Sequence, residues 1–91
     1  MRRRFAVCTL AAAFADEREA GYAVRLIGAS PEILARFTLR RVISERGDVA
    51  MVVLEVGLAE ASQAGRVETC LIGAHGVIVP ADVIEQAALA G

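Results

Sequence analysis

Short apolar runs alternate with charged or glycine-bearing segments along the chain, and their lengths predict strands interleaved with helices. Arg4–Thr9 is brief and apolar and carries Phe5 and Val7, as a buried strand requires. Thr9 can cap a helix over Leu10–Ala20 that ends at Gly21. Asp16, Glu17 and Glu19 then fall late in that helix, where acidic groups are mildly unfavourable. Tyr22–Ile27 reads as a second strand, stopped by Gly28. Ser30-Pro31-Glu32 offers an N-cap hydroxyl, a proline at the first helical position and an acid in the first turn. It predicts a helix to about Arg46, with Gly47 after it. Ala35, Leu39, Val42 and Ile43 would share its apolar face, and Glu32, Arg36, Arg40 and Ser44 would form a polar row at four-residue spacing.

The six apolar residues Val49–Leu54 predict a strand buried on both faces, as in a parallel sheet. Leu58 to about Ala64 reads as helical. Residues 66–80 admit two readings. If Gly65 is tolerated, the helix continues towards Ile72 and a strand Gly76–Val79 follows. Otherwise Val67–Ile72 is a strand and Gly73-Ala74-His75-Gly76 a hairpin loop. Leu-Ile-Gly-Ala occurs at 26–29 and again at 71–74, with little similarity around the copies, as chance composition produces. Pro80 opens a last helix over Ala81–Ala90, with Val83, Ile84 and Ala87 on one side.

This order predicts one domain over residues 1–91 with an α/β fold: a small open, mostly parallel four-stranded sheet with helices on both faces. The alternative is an α+β fold with a C-terminal hairpin. Residues of the apolar set make up 56% of the 91, enough for a core and too many for a disordered chain. A formal charge of −1 argues against general affinity for nucleic acid, which needs excess positive charge. All ten basic residues are arginine, so Schiff-base chemistry and a phosphate-loop lysine are excluded. Met1–Ala15 superficially resembles a secretory leader, but the strand reading is preferred, and no run approaches the ~20 apolar residues of a membrane span. The chain is read as cytoplasmic, reaching a membrane only through a complex.

Little catalytic equipment is visible. His75 is the only histidine, so metal ligation could draw on Cys8, Cys70 and His75 at most. Cys70 and His75 could form a nucleophilic pair, but nothing in the sequence supplies a third, orienting group. Two cysteines in apolar surroundings are read as reduced core residues, and His75 as a loop residue. No glycine-rich phosphate loop follows the first strand, and Gly28, Gly57 and Gly73 are more simply strand terminators. The expectation is a non-catalytic interaction domain without cofactor or metal, whose partner-contact candidates are Arg36, Arg40, Val83 and Ala87.

Arg3–Val7, then Leu26–Ser30 followed by Pro31-Glu32, then Gly47–Glu55 resembles the small regulatory component of the central stalk in V/A-type rotary ATPases. Val77-Ile78-Val79-Pro80 matches the close of that family's last strand. The first helix departs from the family, because only Phe14 and Gly21 match its Gly-Phe-x-Leu-Ala-Gly stretch. The resemblance implies a non-catalytic subunit of the rotor stalk. It would bind a coiled-coil stalk subunit and bias ATP hydrolysis or synthesis without touching nucleotide. The alternative is a standalone domain that assembles with its own copies or binds a small ligand at its strand ends.

Overall fold

A computed structural model of the chain describes residues 8–80. Strand β1 is Cys8–Phe14, helix α1 is Glu17–Gly28, and strands β2 and β3 are Ala35–Ile43 and Val49–Leu58. A single 3-10 turn, Ala61–Gln63, leads into helix α2, Ala64–Gly73, and the two-residue strand β4, Val77–Ile78. The sheet order is β2-β3-β1-β4, and every neighbouring pair is antiparallel. A βαββαβ chain with this sheet order is the split-βαβ, or ferredoxin-like, arrangement. The mostly parallel α/β sheet expected above is therefore corrected to an antiparallel α+β sheet. No C-terminal hairpin replaces it, since residues 66–80 take the helix-then-strand course.

The local corrections have identifiable causes. Asp16–Glu19 begin a helix instead of ending one. Asp16 is the N-cap of α1, and its carboxylate accepts from the Glu19 amide at 2.9 Å. Glu17 and Glu19 thus occupy the first turn, where the helix dipole favours acid. That start displaces both the helix expected over Leu10–Ala20 and the strand expected over Tyr22–Ile27. Ala20, Ala23 and Ile27 give α1 its buried stripe. Ser30-Pro31-Glu32-Ile33 is a turn closed by the Ile33 amide on the Ser30 carbonyl at 3.1 Å, with proline at its second position. The helix expected from there to Arg46 is instead β2.

Cys8, Leu10, Ala12 and Phe14 of β1 pair across the sheet with Leu58, Val56, Leu54 and Val52 of β3, all on one face. α1 and α2 cover that face, and Ala20, Ala23, Ile27, Val67, Leu71 and Ala74 complete the core. Equivalent positions recur in the two βαβ halves. Leu10 and Leu54, Ala12 and Val56, Phe14 and Leu58, Ala23 and Val67, and Ile27 and Leu71 all match at one constant spacing, and each lies in or against the core. The two Leu-Ile-Gly-Ala copies end the two helices but lie one residue out of that phase. Ile27 is buried, whereas Ile72 is exposed. The tetrapeptide is not the fold's repeat.

Candidate functional site

The sheet's second face carries neither helix. Residues alternate across a strand, so the β1–β3 and β2–β3 registers define its rows. Val42 lies beside Met51. Arg40, Val53, Ala13 and Val77 form the next row, and Thr38, Glu55 and Ala11 the one after. Arg36, Gly57 and Thr9 form the last. An antiparallel sheet with one solvated face normally places polar residues there. Here β1, β3 and β4 contribute Ala11, Ala13, Met51, Val53, Gly57 and Val77, with Thr9 and Glu55 as their polar members. The β2 flank is basic, through Arg36 and Arg40.

Glu55 sits in the middle of this face. Its Oε1 lies 3.2 Å from Arg40 Nε, in the diagonally adjacent position of β2. The Arg40 side chain is 41% exposed and that of Glu55 only 18%. The Glu55 Oε1 atom is buried, yet no hydrogen bond is aimed at it. The contact is an ion pair by distance without an aligned N–H.

Other polar contacts fasten the fold rather than equip a reaction centre. Arg41 pairs with Glu17 and ties β2 to the start of α1. Arg66 Nη2 donates to Glu32 Oε1 at 2.8 Å, and the Gln63 amide donates to the Glu32 carbonyl while accepting from the Leu34 N–H. The Arg66 hydrogen bond, foremost, holds the Glu32 carboxyl below the ordinary glutamate range, with a backbone hydrogen bond and the charge of Arg66 adding to it. At the far end of α2, His75 donates to the Ile72 carbonyl and Gly76 to the Leu71 carbonyl, a Schellman close. His75 takes the left-handed position at φ 70° that glycine usually fills. Gly76 is needed beside it, because a Cβ there would lie 2.7 Å from the Phe14 ring and 2.8 Å from the Leu71 carbonyl oxygen.

Of the contact candidates read from the sequence, Arg36 and Arg40 lie together on this face, carried by a strand instead of a helix. Val83 and Ala87, with the helix expected over Ala81–Ala90, lie outside the described residues, as does the Arg4–Val7 part of the first expected strand. Cys8 and Cys70 are free thiols, half-buried against the core, and His75 is exposed at the α2 terminus. Among the described residues no group of three or more His, Cys, Asp or Glu is placed to hold a metal ion. No helix among them is long and apolar enough to cross a membrane.

Sequence reasoning misses Ala11 and Ala13, which it assigns to a helix, and Met51 and Val53, which it assigns to a doubly buried strand. One signal is present. Ala35, Phe37 and Leu39 alternate with Arg36, Thr38 and Arg40, the period-2 mark of a two-faced strand. The chain matches no protein-family model, no curated protein and no solved structure.

Proposed function

We propose that the chain is a self-associating interaction domain that pairs with a second copy through the face of its sheet opposite α1 and α2. The observation that carries this reading is the apolar, shallow surface of Ala13, Met51, Val53, Gly57 and Val77 where an antiparallel sheet ordinarily presents polar groups. Its charge also suits a like surface. Arg40 and Glu55 offset each other and Arg36 adds a single further base, so the face lacks the dense positive charge that nucleic acid or an anionic membrane would select. A two-fold dimer presents one patch to itself and needs only that the patch be self-complementary.

Area sets the strength. At ~3.4 Å per residue along a strand and ~4.8 Å between strands, the sheet presents roughly 450 Å² in projection. That is below the ~800 Å² per partner of a standard interface, so a weak, concentration-dependent dimer is expected. Two sheets stacked face to face lie ~10 Å apart, and the small side chains of β1 and β3 permit that approach.

Analytical ultracentrifugation of the full chain over a micromolar to millimolar range tests this reading. A reversible monomer–dimer equilibrium supports it. A chain that stays monomeric throughout, or that is monomeric and captures a coiled-coil stalk peptide, overturns it. Capture of the peptide is the result that the resemblance to the rotary ATPase stalk component implies.

A further inference from the structure

Arg40 and Glu55, the adjacent acid and base near the centre of this face, are arranged to recognise the same face of a second copy, an inference that rests on the self-association reading. Arg40 stands in the row of Val53 and Ala13, and Glu55 in the adjacent row of Thr38 and Ala11. A two-fold axis running across the strands, between these two rows, lays each copy's Glu55 row over the other copy's Arg40 row. Glu55 of one copy then faces Val53 of the other, one strand from that copy's Arg40. Strand directions stay aligned between the sheets, as in ordinary face-to-face packing. We propose that Arg40 and Glu55 of the two copies form a symmetric four-membered charge cluster that fixes the register and the partner choice of the dimer.

Three features of the face support this. The Glu55 side chain keeps 18% of its surface exposed, and its 3.2 Å contact with Arg40 has no aligned N–H, so the carboxylate can re-aim towards a second guanidinium without losing a good hydrogen bond. Arg40 is exposed enough to turn towards a facing sheet, and its planar guanidinium can engage two carboxylates at once. The surrounding Ala11, Ala13, Val53 and Gly57 are short, so neither charged side chain is held away from an opposing face. An acid and a base inside a small apolar patch discriminate against slipped registers, because slippage sets like charges together or leaves a charge unpaired.

Charge variants of the full chain test this by analytical ultracentrifugation, with circular dichroism to establish folding. R40E leaves two acids where the acid–base pair stood, and E55R two bases. Each alone is expected to dimerise at least ~10-fold more weakly than wild type, since like charges then oppose across the axis. Mixed in equal amounts, R40E and E55R are expected to form a heterodimer of near wild-type affinity. R40Q and E55Q keep the side-chain size while removing one charge, and stand in if either reversal fails to fold; each is expected to weaken the dimer. A wild-type dimer whose affinity the folded charge variants leave unchanged overturns the charge cluster and leaves self-association standing. So does failure of R40E and E55R to pair with each other. A wild-type chain that never dimerises overturns both.

Discussion

Strand β3 faces two different environments with residues of nearly the same kind. On one side Val52, Leu54, Val56 and Leu58 are buried beneath α1 and α2. On the other, Met51, Val53, Glu55 and Gly57 meet no helix or strand layer among the described residues. Coverage, rather than hydrophobicity, separates the two faces. A strand apolar on both sides asks for cover on both, and the described residues supply it on one. In the proposed dimer a second copy supplies the other.

The contrast predicts that substitutions on the helix-covered side disturb folding and those on the open side disturb assembly. Phe14→Ala should be the most damaging, because it empties a fully buried site in the core and should cost about 3–5 kcal/mol in denaturant unfolding. Gly76→Ala comes next. The new methyl would overlap the Phe14 ring and the Leu71 carbonyl, for roughly 1–3 kcal/mol by the same measurement. His75→Gly should act in the opposite sense and raise stability by about 0.5–1 kcal/mol, since glycine takes the left-handed close of α2 without a Cβ penalty. Met51→Gln, on the open face, should change unfolding of the dilute monomer by no more than about 0.5 kcal/mol. The same variant should weaken self-association measurably, and loss of folding without loss of assembly would invert the contrast.

The smallest effect concerns acid. The carboxyl of Glu32 is held below the ordinary value of 4.5, so near that pH the folded chain binds less proton there than the unfolded chain does. The stabilisation is therefore fully present above the ordinary value and is lost as pH falls through the folded one. Glu32 is exposed, which keeps the effect small. Comparing Glu32→Gln with wild type from pH 6 to pH 3 should show a slightly shallower acid limb for the variant, with the dimer interface unaffected.

Much of the site is legible in the sequence even where the fold is not. A four-residue spacing puts Arg36 and Arg40 on one face of a helix, and they share a face in the strand as well. Four is close to one helical turn and is also two strand repeats, so the pairing survives while the element type does not. Val49–Leu54 reads as a strand because six apolar residues in succession leave little else, although its extension to Leu58 alternates through Glu55 and Gly57. The sequence pattern ends β1 too early, at Thr9, because Ala11, Ala12 and Ala13 favour helices locally, while pairing with β3 and β4 draws them into the sheet. The antiparallel order is hidden for a similar reason. Once α1 is read as a strand and β2 as a helix, the alternation that remains is that of a parallel sheet. The Glu55 position at the centre of a face cannot be read from sequence at all, since it depends on which strands lie to either side.

The strand order also dictates when the molecule can come together during synthesis. Among the described strands, only β2 and β3 are neighbours in sequence as well as in the sheet, joined by a short turn at Ser44–Asp48 in which Gly47 adopts φ 90°. β1 sits between β3 and β4, both encoded far downstream, and it leaves the ribosome before either. Its pairing requires closure of long loops, whose entropic cost precedes any gain from contact and slows folding. The β2–β3 hairpin is then the natural early nucleus. The apolar segment Cys8–Phe14 stays unpaired until β3 has emerged, which makes it the part of the nascent chain most in need of protection from premature association.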